Sequence, residues 1–239
     1  MSVKIVTSMS RTGYEKYGRR FLETAHHWPF PVTVYSEDDL ECPHRVFEDP
    51  VHMKFAQGTD ESNDYRFQAK RFSYKVFAIL DAAQRLMRSS DRLLVWIDAD
   101  TVAFRDIPAK FLHDLLPKDK WIAYLGRERM HSECGFVIYD CGKLHAFFEA
   151  WRNLYATNEI YLLKEWHDSF VFDHLRQKMK IPCENISGPG KTAHHPFINS
   201  PLGKYIDHLK GARKDRGRSS RSDLVWKRPE AHWNAQSQG

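Results

Sequence analysis

The run Leu93-Leu-Val-Trp-Ile97, followed at once by Asp98-Ala-Asp100, constrains this chain more than any other stretch. A half-exposed strand alternates apolar and polar residues, whereas an unbroken apolar run suits a strand covered on both faces. Such a strand needs packed layers on either side, which points to a layered α/β domain. The run delivers two carboxylates to its carboxyl end, where ligands bind in folds of this kind. Burying an unpaired carboxylate at a sheet edge costs several kcal/mol, so the pair calls for a compensating partner. Carboxylate oxygens suit Mg²⁺ or Mn²⁺, ions commonly shared with phosphate oxygens. The alternative is that Asp98 caps the next segment and Asp100 is solvated.

The rest of the chain supports the same class. Residues 3–7 are apolar and β-branched, and 31–35, 121–125 and 135–139 read as further strands. Residues 8–17 are expected to form the loop after the first strand. A helix carries Phe21 and Leu22 before Trp28-Pro29 stops it. Residues 41–66 show no sustained period and read as a long irregular excursion. Phe72, Val76, Ile79, Leu80, Ala83 and Leu86 recur at helical spacing, and helices are also expected at 143–155 and about 166–178. Strands alternating with helices imply one domain with a mixed, mainly parallel central sheet flanked by helices.

Seven Trp and fifteen Phe among 239 residues supply a core. No apolar run approaches the roughly 18 residues that span a bilayer, and the polar start does not suit a signal peptide. Cysteines 42, 134, 141 and 183 form no CxxC pair, so the expected setting is the cytoplasm, with no membrane partner. The net charge of +5 is uneven: residues 204–228 hold nine Lys or Arg against three Asp. That block could meet a polyanion or an anionic donor, or be a solvated tail.

The segment from Leu93 through Asp98-Ala99-Asp100 to Ile107 resembles the metal-binding segment of glycosyltransferases with the GT-A fold. A second match, His208-Leu-Lys-Gly211-Ala-Arg-Lys214, has the His-x-x-Gly-x-x-Lys spacing of the retaining, glycogenin-like members. Asp215-Arg216 stands where those members usually carry Pro-Trp. The resemblance implies a single GT-A-like (Rossmann-like) domain over residues 1–218, with a donor-binding half at about 1–107 and an acceptor-side half at about 108–218. Residues 219–239 are then a basic tail, partly ordered at best. The implied cofactor is Mn²⁺ or Mg²⁺ held by Asp98, Asp100 and His208. The implied donor is a nucleoside-diphosphate-sugar, UDP-sugar favoured, with Gly211 admitting the diphosphate and Lys214 binding it. Lysine binds phosphate as a point charge, which agrees with that role.

By the same resemblance the first loop contacts the nucleotide through Thr7, Ser8 and Tyr14, although Tyr14 could equally anchor the loop. Lys75, or Arg71 one turn earlier, would serve the donor phosphate or sugar. Glu133-Cys134-Gly135 resembles the family's Asn-Ser-Gly segment beneath the reacting sugar. Asp168 stands at the head of a helix where a carboxylate near the anomeric carbon is expected, and it would also make a good cap. It would act as a base in an inverting enzyme or steady the sugar in a retaining one, the outcome favoured by the His208 motif. His167, His194, His195, Arg216, Arg218 and Trp226 are acceptor-side candidates. The acceptor would be a saccharide or DNA carrying a hydroxylated base. Two other classes compete: a nucleic-acid-binding module, which leaves the joint Asp98, Asp100 and His208 pattern unexplained, and a Mg²⁺-dependent nuclease, which would cleave nucleic acid with no donor requirement.

Overall fold

A computed structural model describes residues 3–58, 62–88, 92–187 and 195–234. Its strands are Val3–Ser8 (β1), Val32–Tyr35 (β2), Leu93–Ile97 (β3), Thr101–Ala103 (β4), Ile122–Arg127 (β5), Met130–Asp140 (β6), Cys183–Asn185 (β7) and Ile206–His208 (β8). Six of them form one sheet in the order β2-β1-β3-β6-β5-β7. β2 and β3 flank β1 in parallel, β6 runs antiparallel to both β3 and β5, and β7 is parallel to β5.

The apolar run is buried at all five positions of β3, and its side chains divide between two cores. Leu94 and Trp96 point into one, with Val76 and Phe77 of the helix Ala69–Met87, Trp151 of His145–Ala156 and Phe172 of Asp168–Lys178. Leu93, Val95 and Ile97 point into the other, against Phe21, Leu112, Phe197, Leu202 and Trp233. Each apolar side chain fully buried this way contributes about 1.5–3 kcal/mol over its exposed state, so β3 anchors both layers. The expected mixed α/β domain with helices flanking its sheet is the fold observed.

Two expected irregular segments contain helix. Within 41–66 lies Pro50–Ala56, begun by Asp49, whose side chain accepts from the backbone N–H groups of Val51 and His52, with proline at the first helical position. The stretch after β1 is also helical: Arg11–Gly13 is capped by the Ser10 side chain and runs into a π-helical turn, Tyr14–Gly18. The strands expected at 121–125 and 135–139 are longer and form a bulged antiparallel hairpin, β5–β6.

The pairing that matters most for the site is the shortest. β4 and β8 form a separate two-stranded sheet with Thr101 opposite His208 and Ala103 opposite Ile206. Residues 219–234 lie close by. The Ser219 N–H donates to the buried Asp207 carboxylate, and the Trp233 indole, itself buried, donates to the Gly203 carbonyl at 2.8 Å. All four cysteines are free. Among the described residues no helix is long and apolar enough to cross a membrane.

Candidate functional site

Because β1 and β3 are parallel, their carboxyl ends share one edge of the sheet, and the antiparallel β6 begins there. The chain turns after β3. The Asp98 N–H donates to the Gly135 carbonyl at 2.9 Å, the Thr101 hydroxyl donates back to the Asp98 carbonyl, and β4 then pairs with β8. The Leu209 N–H donates to the Asp100 carbonyl at 2.7 Å, closing the turn from the far side. Two sequence motifs over a hundred residues apart are thereby joined by backbone hydrogen bonds.

Ligand-type atoms of Asp98, Asp100 and His208 lie within 4.8 Å of one another. His208 is fully buried, with Nε2 at 3.1 Å from Asp100 Oδ1 and Nδ1 without a hydrogen-bond partner among the described residues. Lys214 Nζ stands 3.0 Å from Asp100 Oδ2. Burial alone would push the Asp100 carboxyl up, but His208 and Lys214 hold it well below the usual range. His208 is raised: burial opposes its charge, and Asp100 outweighs burial. Two carboxylates and one buried imidazole make a donor set that fits a divalent cation.

Behind this trio sits Lys75, whose three ammonium protons find three acceptors. Nζ lies 2.9 Å from Asp98 Oδ1, 2.8 Å from Asp168 Oδ2 and 2.6 Å from the Cys134 carbonyl. Burial opposes its charge, yet the two carboxylates hold its pKa well above the ordinary lysine value. Burial would raise the Asp168 carboxyl, but the Lys75 ammonium keeps it below the usual carboxylate range. The Trp96 indole donates to Asp98 Oδ1 at 2.7 Å and fixes that carboxylate from the strand side.

Glu133 is buried and ion-paired with Lys210, with Arg127 at 3.8 Å. Its pKa falls to about 2 although burial acts the other way. A cavity of about 540 Å³ opens beside it, lined by Arg127, His195, Lys210, Arg213 and Val225. Gly135 is required by close approach: a Cβ there would stand 3.0 Å from His208 Cε1 and 3.4 Å from Asp98 Oδ2. Gly211 is required by its backbone, with φ of +60° and open space around it.

Other expected residues fall further out. Thr7 is buried near the end of β1 with its hydroxyl unpartnered among the described residues, and Ser8 follows it at the strand's last position. Tyr14 is buried under the Arg19 guanidinium. One helical turn later, Tyr17 faces the acidic cluster and Lys214. Lys214 Nζ lies 4.6 Å from its ring centre, and burial with the nearby Asp100 and Asp98 charges raises its phenol to about 12. Arg71 is exposed and donates to the Gln68 side chain. His195 turns Nε2 to the His208 carbonyl at 2.8 Å. His167 caps the helix Asp168–Lys178 and meets Glu165. Arg216 is exposed, Arg218 and Trp226 are half-buried, and His194 lies outside the described residues. Tyr17, Trp96, Arg127 and Lys210 were not singled out from the sequence. Trp96 and Tyr17 carried a signal in retrospect, at two residues before Asp98 and one helical turn after Tyr14.

No protein-family model matches the chain, and no curated protein matches it. Solved structures do. One is a glycosyltransferase involved in glycosylation of the major capsid of PBCV-1, with TM-score 0.51 and 11% identity, covering 90% of this chain and 98% of that one. Mouse xyloside xylosyltransferase 1 in its apo form gives TM-score 0.51 at 10% identity, over 78% of this chain and 85% of that one. The chain has a GT-A-like fold. The WbbM bifunctional glycosyltransferase gives TM-score 0.50 at 13% identity, covering 88% of this chain but 46% of the larger one. In this GT-A-like domain the acidic and histidine cluster occupies the carboxyl edge of the sheet, where the fold places its ligands.

Proposed function

We propose that the chain is a metal-dependent glycosyltransferase that moves a sugar from a nucleoside-diphosphate-sugar, a UDP-sugar in the favoured case, to an acceptor hydroxyl. The observation that carries this reading is the convergence of Asp98, Asp100, His208 and Lys214 at one point of a GT-A-like sheet edge. Asp98, Asp100 and His208 would hold Mn²⁺ or Mg²⁺, which when bound supplies Lewis-acid stabilisation of the departing diphosphate. Lys214 would exchange its contact with Asp100 for the diphosphate, and the open backbone at Gly211 lets that loop approach it. Tyr17, Thr7 and Ser8 would line the nucleotide side.

Asp168 supports a retaining course. Its carboxylate is paired with Lys75 and held below the ordinary range, so at neutral pH it is a poor proton acceptor and a standing negative charge. That suits steadying an oxocarbenium-like centre better than deprotonating the acceptor. Glu133, also anionic, would accept hydrogen bonds from sugar hydroxyls. A saccharide acceptor is favoured over DNA because at least four of the nine basic residues in 204–228 are engaged within the domain. Lys210 meets Glu133, Arg213 meets Asp223, Lys214 meets Asp100, and Arg228 donates to the Ser200 carbonyl.

Thermal denaturation with UDP, GDP, CDP and their sugars, with and without Mn²⁺, tests the reading. A ligand at about a hundred times its Kd adds about 2.7 kcal/mol, a Tm rise of about 5–10 °C for a chain of this size. Asp100→Ala and His208→Ala should each abolish most of the metal-dependent rise. Absence of stabilisation by every metal–nucleotide pair would overturn it. Turnover with saccharides and with DNA bearing a hydroxylated base, followed by NMR of the new anomeric proton, then distinguishes acceptor class and stereochemistry.

A further inference from the structure

A second cluster of metal-binding type lies on the other side of Asp168 and takes no part in the reaction proposed above. His131 stands on β6 just past the β5–β6 turn, Glu165 on the segment that leads into the helix Asp168–Lys178, and His167 at that helix's cap. Their ligand-type atoms lie within 4.8 Å of one another. His167 Nε2 is 2.9 Å, and His131 Nε2 3.4 Å, from the same oxygen, Glu165 Oε2. Metal–ligand arms of about 2.0–2.1 Å in tetrahedral geometry put neighbouring donor atoms about 3.3 Å apart, and the two separations bracket that value.

We propose that His131, Glu165 and His167 bind a zinc-type divalent cation, with a fourth position open to solvent. The chemistry of the donors separates this site from the first. Two imidazoles and one carboxylate form the borderline set that zinc prefers, whereas Asp98, Asp100 and His208 supply mostly hard oxygen. The side chains of Glu165 and His167 are 14% and 6% exposed and that of His131 is 39% exposed, so the cluster is walled on two sides and reachable on the third.

The frame around the three residues is already fixed. Asp173 accepts from the Ser132 N–H and hydroxyl at 2.8 and 2.6 Å, tying the strand next to His131 to the helix. Arg127 Nε donates to the His131 carbonyl at 2.6 Å, and the Trp166 N–H donates to the Arg66 carbonyl at 2.7 Å. Rings of Tyr65 and Phe72 lie 5.5 and 6.0 Å from His167, and Phe170 lies 5.3 Å from His131, giving the site a low-dielectric wall.

Metal-free, His167 can donate from Nε2 to Glu165, and His131 Nε2 faces the same oxygen at 3.4 Å. Binding requires each proton to sit on Nδ1 instead. For His167 this gives up the cap hydrogen bond from the Phe170 N–H, which is long at 3.4 Å, and turns Nδ1–H toward Asp168 Oδ1 at 4.0 Å. A carboxylate behind a ligating histidine is the usual supporting arrangement. The ion would clamp the β5–β6 hairpin to the segment that presents Asp168.

The test uses the full chain carrying Asp100→Ala, so that the first site does not contribute. After chelator treatment, zinc is titrated against a chromophoric competitor, and Co²⁺ is added separately as a spectroscopic probe. One zinc equivalent should bind, and Co²⁺ should give the intense visible bands of a four-coordinate site. Adding His131→Ala or Glu165→Gln should each weaken zinc binding by at least about tenfold, the lower end of the loss seen when a supporting partner of a metal ligand is removed. In chelator both variants should melt close to their parent, which rules out misfolding as the cause. No stoichiometric zinc, or zinc affinity unchanged in both variants, would overturn the assignment and leave a histidine–glutamate hydrogen-bond network. Neither result touches the nucleotide test above, which reads the other site.

Discussion

Lys75→Met removes a cation shared by the buried Asp168 and the half-buried Asp98, and its consequence can be worked from the contacts. Nζ is 2.9 Å from Asp98 Oδ1 and 2.8 Å from Asp168 Oδ2, and the three side chains are 12%, 29% and 11% exposed in the order Lys75, Asp98, Asp168. Removing one partner of a buried pair costs about 3–5 kcal/mol, chiefly because a charge is left uncompensated. Asp98 keeps the Trp96 indole and partial access to water, so the low end applies, about 3 kcal/mol. At this chain length that corresponds to a fall in Tm of about 6–12 °C. The cost should be mostly the stranded charge rather than lost packing, because methionine matches the lysine stem. Lys75→Met combined with Asp168→Asn should therefore recover part of the loss, with a coupling of about 2 kcal/mol between the two sites. Urea denaturation of wild type, both single variants and the double variant in metal-free buffer measures it. A Lys75→Met cost below about 1 kcal/mol, or a double variant no more stable than Lys75→Met, would refute the account of Lys75 as a charge clamp.

Three further outcomes are expected. Gly135→Ala places a methyl 3.0 Å from His208 Cε1 and 3.2 Å from Glu133 Oε1, so it should cost about 1–3 kcal/mol in urea melts and shrink the Mn²⁺–nucleotide Tm rise disproportionately. An undiminished rise would show that His208 does not serve that site. Burial holds His52 at about 4 against the ordinary histidine value of 6.5, so between those pH values the unfolded chain binds a proton that the folded chain refuses. That stability is complete above pH 6.5 and is lost on acidification toward pH 4, by about 3 kcal/mol. His195, lowered to about 4 by burial and His208, adds a loss of the same sign. His52→Leu should flatten roughly half of this loss in melts run from pH 7 to pH 4.5, and an unaltered pH dependence would rule His52 out as a source. Trp233→Ala empties a buried position whose indole donates to Gly203 and should cost about 3–5 kcal/mol, whereas a loss under about 1 kcal/mol would mean that residues 219–234 do not stabilise the domain.

What the sequence made legible follows from the length of each signal. Five apolar residues before Asp98 predicted a strand covered on both faces, and the division of Leu94 and Trp96 from Leu93, Val95 and Ile97 between two cores is its physical counterpart. The helix Ala69–Met87 was legible because ten of its residues are buried at helical spacing, and the same periodicity set Lys75 and Arg71 one turn apart. Lys75 reaches Asp98 and Asp168, while Arg71, a turn nearer the helix start, meets Gln68. Pro50–Ala56 was missed because about two turns of helix have too few periods to register. Its start signal, Asp49-Pro50, was nevertheless present in the sequence. Tyr17 was missed for a related reason: a segment read as loop carries no phase, so nothing distinguished it from Tyr14 until the π-helical turn set one inward and the other toward Lys214.

The β4–β8 pair explains how a site spread over such a distance can be rigid. Three residues against three carry no periodic signature, yet they set His208 opposite Thr101, one residue past Asp100. The register is held from behind by Asp207, fully buried, which accepts from the Ser219 N–H at 2.7 Å and faces His232 Nε2 at 2.9 Å. Alternate residues of a strand face opposite ways, so the same three-residue strand offers His208 to the carboxylates and Asp207 to the segment beyond residue 218. A slip of one residue would exchange the two side chains, removing the imidazole from Asp100 and bringing a third carboxylate to a place already rich in negative charge. The repulsion among three carboxylates opposes that slip, and the Asp207 contacts oppose it from the other face. The position of His208 is thus fixed by groups on both sides of a strand too short to fix it alone.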